Sequence, residues 1–360
     1  MRPIRATMYE ENVVSQVILQ VKDLNVKFSL RGRTLHAIRD VTLEVMAGES
    51  LAIVGESGSG KTVLCKTFMG LLDQNGWVDS GEILFEGANL AKYQTQQEWL
   101  SIRGRKIAMV LQDPMTSLNP LKTVGKQIGE ALRLHQGLKG EAARQRVAEI
   151  LLDVGIENPQ RRMRQYPHEF SGGMRQRVVI AIAVACQPRI LICDEPTTAL
   201  DVTIQAQILL LIGKLKAKYD LTTIYITHDL GVVANVADRV AVMYAGDIVE
   251  IGTCEEIFFA PRHPYTWALL SSLPQLGRRG EELYAIKGTP PNLFKDIQGD
   301  AFAPRNPGAL NIDFTRRPPY FELSPTHKVK SWLEDPRAPR VEPPESLSRI
   351  NPQGGNLYEC

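Results

Sequence analysis

The sequence predicts an α/β fold with a central, largely parallel sheet, and two observations support this prediction. The first is the order of apolar run, glycine-rich loop and helix in "LAIVGESGSGKTVLCKTFMGLL", which is typical of a buried strand that ends in a phosphate-binding loop. The second is a set of three further apolar runs that end in polar residues: "KIAMVLQDP", "RILICDEP" and "TTIYITHD". Runs of this kind favour buried parallel strands with functional groups at their carboxyl ends.

Other elements surround this predicted sheet. Residues 17–50 read as short alternating strands, and "DRVAVMYAGDIVEIG" predicts a hairpin around Gly246 and Asp247. A helical subdomain is expected at about 120–187, between two of the apolar runs. Within it, "EAARQRVAEILLDVG" has helical apolar spacing, carried by Val147, Ile150, Leu151 and Val154. After about residue 265 the chain becomes rich in proline and glycine, and from about 335 it has little to bury, which predicts mobility there.

Composition excludes several classes of protein. A hydrophobic content of 44%, a charged content of 23% and a net charge of +2 are ordinary for a globular chain and argue against a dedicated nucleic-acid binder. The densest basic stretch, "RRMR" at 161–164, is more typical of a solvated surface than of a lipid or nucleic-acid site. No apolar run reaches the roughly 18 residues of a membrane span, and the acidic N-terminus does not fit a signal peptide.

The five cysteines predict a reducing compartment. They include no C-x-x-C pair, and most lie in or beside apolar runs, as buried thiols do; they are Cys65, Cys186, Cys193, Cys254 and Cys360. We therefore expect a cytoplasmic chain, held at a membrane only by other subunits.

The loop "GESGSGKT" matches the phosphate-binding pattern G-x-x-x-x-G-K-[ST] without a mismatch. Its glycines let backbone N–H groups turn toward phosphate oxygens, and the helix that follows adds its positive end. Lys61 is expected to reach the β- and γ-phosphates, and Thr62 to offer its hydroxyl to Mg²⁺. The predicted nucleotide-binding residues here are Gly55, Glu56, Ser57, Gly58, Ser59, Gly60, Lys61 and Thr62.

Polar residues at three other strand ends are candidates for catalysis. Asp194 is placed to hold Mg²⁺ through water, and Glu195 to accept a proton from the attacking water. Gln112 is a candidate for contact with the metal or the water, and His228 for contact with the γ-phosphate, although isolated Gln and His residues are more often structural. Phe28 can stack on an adenine ring or serve as a core residue.

A second helix start suited to an anion lies far from the first. In "SGGMRQR", a small polar residue and two glycines precede an apolar helical run. Together with "GESGSGKT", Gln112, "CDEP", "TTALD" and His228, in this order, this stretch resembles the ATPase subunit of ATP-binding cassette (ABC) transporters. The resemblance covers about 17–265. It implies a P-loop NTPase ABC cassette with an antiparallel β subdomain, the inserted α-helical subdomain and a small C-terminal extension at 266–335, followed by a tail at 336–360.

The family resemblance also implies why one chain has two phosphate-binding helix starts. Two such subunits pack head to tail in this family, so Ser171, Gly172 and Gly173 are expected to hold the γ-phosphate of ATP bound by a partner chain. Asp201, which ends "TTALD", is expected near the same interface. A single triphosphate does not need two helix starts from one rigid domain, whereas it can bridge two domains.

The finer resemblance is to the oligopeptide and dipeptide importer branch, through "LQDPMTSLNP", "EPTTALDVTIQAQIL", "ITHDLGVVA", "PRHPYTWALLSSLP" and "KGTPPNL". It implies the first of two ATPase subunits of a Gram-positive-type system, paired with the second beneath two transmembrane permease subunits at the cytoplasmic face of the membrane. An extracellular peptide-binding protein would act on it indirectly. A dipeptide or nickel importer, and a soluble ABC ATPase acting on ribosomes or DNA, are the alternatives.

Many peptide-importer ATPases carry four cysteines for an iron–sulfur cluster after the cassette. By the surrounding match, those positions hold Asp300, Asn306, Asp313 and Ser331 here, so we expect ATP and Mg²⁺ as cofactors and no iron–sulfur cluster. A hard cation on the oxygen ligands is the less favoured alternative. The extension is instead expected to fold on its own apolar contacts and to serve as a docking surface for the partner ATPase. Its core candidates are Phe302, Phe314, Tyr320, Phe321 and Trp332.

Overall fold

Two β-sheets organise the chain in the computed structural model, which describes residues 16–198, 200–273 and 286–349. The strands are β1 Val17–Leu30, β2 Arg33–Met46, β3 Ser50–Val54, β4 Gly76–Phe85, β5 Ala88–Asn89, β6 Ile107–Val110, β7 Ile190–Asp194, β8 Thr222–Thr227, β9 Arg239–Tyr244, β10 Asp247–Thr253, β11 Phe321–Glu322 and β12 Lys328–Val329. The α-helices are α1 Lys61–Thr67, α2 Gln96–Ile102, α3 Pro114–Ser117, α4 Val124–Gln136, α5 Gly140–Asp153, α6 Pro159–Arg162, α7 Gly172–Val184, α8 Val202–Tyr219, α9 Leu230–Val236, α10 Cys254–Phe259 and α11 Pro264–Ser271.

The larger sheet contains the parallel strands that the sequence predicts. In the described part of the chain its order is β11-β12-β10-β9-β3-β8-β7-β6, and the strands from β9 to β6 run parallel. Every residue of β3, β7 and β8 is buried, as expected for strands covered on both faces. Because the strands are parallel, the residues that follow β3, β6, β7 and β8 meet at one edge of the sheet.

The smaller sheet is antiparallel and has the order β2-β1-β4-β5. A two-residue turn joins β1 to β2, and both of its residues have positive φ, 50° at Arg31 and 74° at Gly32. That geometry matches the right-handed twist of the flanking strands. The hairpin carries Phe28 toward the end of β3, so the smaller sheet forms one wall of the cleft described below.

The predicted helical subdomain contains α4, α5 and α7. The apolar spacing predicted in this segment is confirmed, because Val147, Ile150, Leu151 and Val154 are all buried in one core with the helices around them. Val154 lies just beyond the last residue of α5. Three of the described cysteines, Cys65, Cys186 and Cys193, are also buried and free, whereas Cys254 is partly exposed.

The predicted hairpin is present, with its turn one residue earlier than expected. Ala245 and Gly246 form the turn with φ of 48° and 84°, and Asp247 is already the first residue of β10. The turn lies against the phosphate loop, because Gly246 N–H donates to the Ser59 carbonyl at 2.9 Å.

The C-terminal extension does not fold on its own apolar contacts, and that prediction is wrong. Its strand β12 pairs with β10 and so extends the main sheet. Phe302 is buried in the core of the cassette, 5.4 Å from the ring of Tyr244 and 5.3 Å from that of Tyr265. An otherwise open sheet edge presents unpaired backbone groups, and pairing with β12 satisfies those of β10.

Phe302 is therefore the one core candidate of the extension that is fully buried in the described structure. Phe314 is 53% exposed, so its prediction as a core residue is wrong. Phe321 and Trp332 are half-buried and meet edge to face at 6.2 Å, while the Tyr320 hydroxyl donates to the Ile248 carbonyl at 3.0 Å. The backbone around Phe314 forms a short 3₁₀ turn whose buried residue is Asp313, which leaves the phenyl ring outside.

The segment after residue 335 has more to bury than the sequence indicated. Leu347 is buried in the main core, and the hydroxyls of Ser346 and Ser271 are 2.9 Å apart. The end of the predicted tail, 350–360, lies outside the described residues, and so does Cys360.

The two phenylalanines of the extension give a matched test of this packing. Phe302→Ala should lower the free energy of unfolding by about 3–5 kcal/mol, because it removes a fully buried ring. Phe314→Ala should change it by less than about 0.5 kcal/mol, because that ring is already in water. Urea denaturation followed by circular dichroism measures both values. Equal losses for the two variants would show that the extension does not share the core of the cassette.

Candidate nucleotide-binding site

A cleft of about 800 Å³ opens where the parallel strands end. It brings together most of the predicted site residues, although they come from five separate segments of the sequence. Those that line it are Phe28, Ser57, Gly58, Gly60, Lys61, Thr62, Gln112, Asp194, Glu195 and His228. Gly55, Glu56 and Ser59 belong to the same loop but lie behind its surface.

Glycine is required at both ends of the phosphate loop. Gly55 has a φ of 150°, and a Cβ there would lie 2.1 Å from the Met243 carbonyl oxygen on β9. Gly60, the N-cap of α1, has a φ of 104° and would place a Cβ 3.0 Å from the Ala37 carbonyl oxygen. Both positions therefore need a backbone without a side chain, which is what brings loop N–H groups close to a bound anion.

Lys61 holds a positive charge inside this loop. Its side chain is buried, and its ammonium donates to the carbonyls of Gly55 at 2.8 Å and Glu56 at 2.9 Å. Burial lowers the pKa of Lys61, and the neighbouring carboxylates of Glu195 and Asp194 act in the opposite direction. The ammonium of Lys61 thus contacts two carbonyl oxygens of the phosphate loop and interacts with the two carboxylates at the end of β7.

Asp194 and Thr62 form the second part of the site. The Thr62 hydroxyl donates to Asp194 Oδ1 at 3.1 Å, which joins the first turn of α1 to the end of β7. Asp194 is buried, and its pKa is raised chiefly by that burial and further by the adjacent charge of Glu195. A carboxylate in this setting is stabilised in its ionised form by a nearby cation.

Glu195 is the focus of the polar contacts in the cleft. Gln112 Nε2 donates to its Oε2 at 2.7 Å, Thr198 Oγ1 donates to the same oxygen at 3.0 Å, and His228 Nδ1 lies 2.9 Å from Oε1. Burial acts to raise the pKa of Glu195, but the hydrogen bonds from His228 and Thr198 outweigh it, and the net pKa is lowered. The carboxylate is therefore ionised and held in one orientation.

The backbone of Glu195 is itself unusual. Its φ is 46°, in the left-handed region that residues with a Cβ seldom adopt, and its N–H donates to the Ile226 carbonyl on β8 at 2.9 Å. Such a conformation costs about 1–2 kcal/mol and persists only where the surroundings fix it. Eight other described non-glycine residues also have a positive φ, and Glu195 is the one of the nine that lines the cleft.

Phe28 is partly buried, and its ring packs over Gly76, where a Cβ would lie 2.4 Å from Phe28 Cε1. One side of the ring is thus occupied by the chain, while the residue also lines the cleft. The position of Phe28 does not test its stacking on a nucleotide base, which stays a prediction.

Sequence reasoning missed several residues of the cleft. Thr198 follows Asp194 and Glu195 in "DEPTT", and this short spacing already indicates that its hydroxyl lies near Glu195. Leu293 comes from the C-terminal extension, and its carbonyl accepts the His36 N–H at 3.0 Å. No local sequence pattern connects Leu293 with the phosphate loop, which lies more than 200 residues earlier in the chain.

The second anion-binding helix start lies outside this cleft. Ser171 is the N-cap of α7, and its hydroxyl accepts the Met174 N–H at 3.4 Å. Ser171 and Gly172 are exposed, and Gly173 is partly so. Asp201 is likewise exposed and caps α8 through the Ile204 N–H at 3.0 Å. None of these four residues lines the cleft, so they form a polar surface that is separate from it.

Comparison with known proteins agrees with this geometry. Residues 38–198 match the family described as ABC transporter, and residues 249–312 match the family described as oligopeptide/dipeptide transporter, C-terminal region. Among solved structures, the dimeric ATP-binding cassette determined in a post-hydrolysis state with ADP and Pi superposes with a TM-score of 0.58 at 28% identity, over 66% of this chain and 98% of that one. The predicted P-loop ABC cassette fold is thereby confirmed.

Curated relatives match over nearly their whole length. The oligopeptide transport ATP-binding protein AmiE of Streptococcus pneumoniae is 55% identical over 93% of this chain and 94% of its own. OppD of Bacillus subtilis, also named as an oligopeptide transport protein, is 56% identical over 95% and 96%. The dipeptide transport ATP-binding protein DppD of Lactococcus lactis is 52% identical over 93% and 96%. The chain therefore belongs to the ATP-binding subunits of ABC transporters, in the branch that contains the oligopeptide and dipeptide transport proteins.

Proposed function

We propose that this chain hydrolyses ATP to drive the import of oligopeptides through a membrane ABC transporter. The observation that carries the proposal is the ionised carboxylate of Glu195, fixed by three partners beside the phosphate loop. The names of the relatives supply the cargo class, and OppD and AmiE favour oligopeptides. A dipeptide importer is the second candidate, because DppD of L. lactis is almost as similar.

The residues around the cleft fit a magnesium–nucleotide complex. Gly55 and Gly60 keep the loop backbone open to phosphate oxygens, and Lys61 supplies a buried positive charge. Thr62, Asp194 and Gln112 would hold Mg²⁺, which, when bound, neutralises charge on the phosphates. Within the described residues no group of three or more His, Cys, Asp or Glu side chains is arranged to hold a metal. Mg²⁺ at nucleotide sites requires no such group, because it is bound by one or two carboxylates together with phosphates and water.

Glu195 then acts as the general base. Its carboxylate accepts a proton from the water that attacks the γ-phosphate, while His228 and Gln112 hold it in place. The hydrogen bonds that lower the pKa of Glu195 favour its ionised form, which is the form that can accept a proton. His228 is the more exposed partner, with 59% of its side chain accessible against 17% for Glu195, so it is also placed to contact a γ-phosphate.

A second cassette would complete the site. Ser171, Gly172 and Gly173 are turned away from the chain's own cleft, which fits a γ-phosphate held by another subunit. We propose a heterodimer with a second ATPase subunit beneath two transmembrane permease subunits, served indirectly by an extracellular peptide-binding protein. No nucleic acid is expected as a partner.

Attachment to the membrane would depend on these partners. No helix in 16–198, 200–273 or 286–349 combines the length and the apolar character that a bilayer crossing requires. We propose that the chain is peripheral, at the cytoplasmic face, and is held there by the permease subunits.

Glu195→Gln should separate binding from turnover. The amide keeps the size and hydrogen bonding of the carboxylate but cannot accept a proton, so the ATPase rate of the assembled complex should fall by about 10²- to 10⁴-fold. ATP affinity should stay within about threefold. Glu157→Gln, at an exposed position of the helical subdomain, is the matched control and should keep its rate. Near-normal turnover by the Glu195 variant would remove this residue from its role.

Gly172→Asp tests whether the second helix start serves a partner's nucleotide. A Cβ at Gly172 meets nothing closer than Leu200 at 4.0 Å, so the change leaves its own chain intact. ATP binding by the isolated chain should stay within about twofold, while the ATPase rate of the assembled pair should fall by about 100-fold or more. Gly213→Asp, in open space on α8, is the control. Loss of ATP binding by the isolated Gly172 variant would contradict the assignment.

Iron content tests the prediction that no iron–sulfur cluster is bound. The four positions expected for cluster ligands carry oxygen or amide side chains, and all four accept local backbone hydrogen bonds: Asp300 from Phe302 at 2.9 Å, Asn306 from Gly308 at 3.0 Å, Asp313 from Leu310 at 2.7 Å and Ser331 from Leu333 at 3.3 Å. Thiolates, the usual ligands of such clusters, are missing from all four. Anaerobically purified protein should be colourless and free of stoichiometric iron, also after incubation with iron and sulfide. A brown protein that loses its visible absorbance on chelation would refute this.

A further inference from the structure

The phosphate loop is joined to the C-terminal extension by a salt bridge that the family motifs do not include. Arg305 Nη1 donates to Glu56 Oε2 at 2.7 Å, and Arg305 Nη2 donates to Glu56 Oε1 at 3.0 Å. The arginine side chain is 5% exposed and the glutamate side chain 25%. A two-pronged pair of this kind is among the strongest that side chains form, and its geometry is specific to arginine.

Arg305 is also held in place by contacts other than the pair with Glu56. Its Nε donates to the Lys287 carbonyl at 3.0 Å, Nη2 to the Ile286 carbonyl at 3.3 Å, and Nη1 to the Tyr244 hydroxyl at 3.1 Å. Its guanidinium carbon lies 5.8 Å from the ring centre of Tyr244 and 5.9 Å from that of Phe302. Contacts to Glu56 and Tyr244 raise the pKa of Arg305. The charge is thus permanent and immobile.

The backbone of Glu56 makes three further hydrogen bonds, one to α11 and two within the phosphate loop. Its N–H donates to the Tyr265 hydroxyl at 2.8 Å, and its carbonyl accepts from Lys61 Nζ at 2.9 Å and from the Ser59 N–H at 3.2 Å. The charge of Glu56 also contributes to the pKa of Lys61, so the two groups interact electrostatically. Residues of α11 and the extension therefore determine where this part of the loop lies.

A carboxylate in a loop that binds a triphosphate needs compensation. Without a partner, Glu56 would repel the phosphates and compete with them for the ammonium of Lys61. Arg305 does not line the cleft, and it pairs with Glu56 behind the surface of the loop. The extension thus contributes a compensating charge to the phosphate loop through a residue that lies outside the cleft.

We propose that Arg305 is a positioning residue of the nucleotide site, through which the C-terminal extension neutralises Glu56 and holds the phosphate loop in its ATP-binding form. This proposal rests on the proposed binding of ATP at that loop. It also gives the extension a role in the ATPase cycle, because a movement of the extension that separates the pair would weaken nucleotide binding.

A double-mutant cycle on the full chain tests the pair. Arg305→Met removes the charge and keeps the aliphatic stem, Glu56→Gln removes the opposite charge, and the double variant removes both. The ATP dissociation constant is measured by isothermal titration at low and at high salt, with the melting temperature of the nucleotide-free protein alongside. Arg337→Met is the control: it removes another arginine from the C-terminal part of the chain, one whose side chain is 87% exposed and pairs with Asp335.

Arg305→Met should weaken ATP binding by roughly tenfold, the size expected for one uncompensated charge at moderate distance in protein. Glu56→Gln alone should change affinity by less than about threefold, and the double variant should return to within about threefold of Glu56→Gln. The defect of Arg305→Met should shrink at high salt, as electrostatic repulsion does. Arg337→Met should leave ATP affinity within about twofold and the melting temperature nearly unchanged, because an exposed ion pair contributes little to stability.

Two results would overturn the proposal. One is an unchanged ATP affinity in Arg305→Met despite a lower melting temperature. The other is a double variant as weak as Arg305→Met, which would show that lost structure rather than unpaired charge causes the defect. If Arg305→Met does not fold, Arg305→Gln, which also removes the charge but keeps hydrogen-bonding groups, provides the same comparison with and without Glu56→Gln. Failure of the unmodified chain to bind ATP would instead refute the proposed function itself.

Discussion

The close approach of three backbone segments at the phosphate loop is the constraint on which the rest of the site depends. The end of β9 passes so near Gly55 that a single Cβ would overlap the Met243 carbonyl, and the β9–β10 turn donates from Gly246 to Ser59. Gly246 is itself pressed against β2, where a Cβ would lie 2.5 Å from the Ala37 carbonyl. Glycine at these positions lets the antiparallel sheet, the parallel sheet and the loop meet without an intervening layer of side chains. The loop is therefore rigid because of its surroundings as well as its own sequence.

The C-terminal extension reinforces the same region from outside. Asp247, the first residue after the hairpin turn, is paired with Lys330 and with Arg317, both at 2.6 Å and both from the extension. Arg317 also donates to the Arg39 carbonyl at 2.9 Å and pairs with Asp40, so one arginine joins the turn to β2. Removing one member of such a buried set leaves uncompensated charge, which is costly. The extension and the cassette are thus one structural unit, held by charges around the turn and by Phe302 beneath it.

The parts of this structure that follow local rules were predictable from the sequence. The strand, loop and helix around Lys61, the buried strand that delivers Asp194, and the apolar face of α5 each carry a signal within 20 residues. The contact between Arg305 and Glu56 joins positions 249 residues apart, and neither residue has a local pattern that points to the other. The same holds for Leu293 in the cleft. Phe314 shows the converse error, because composition marks an aromatic ring as a core candidate but does not reveal on which side of a short turn it lies.

Both the backbone and the side chain of Glu195 are held by neighbouring strands. Its left-handed backbone is held by the Ile226 carbonyl on β8, and its carboxylate by side chains that follow β6, β7 and β8. A strained residue held by four partners at the ends of three strands keeps its orientation only while the sheet edge is intact. That edge is joined to the phosphate loop through Thr62, which donates to Asp194. The base and the phosphate cradle are therefore parts of one rigid body. The exposed N-terminus of α7 lies outside the cleft of this body, and it has the chemistry to bind a γ-phosphate held by another chain. In the proposed heterodimer, this chain would thus contribute a base to its own site and an anion-binding helix start to its partner's site, so hydrolysis would require the two cassettes to come together.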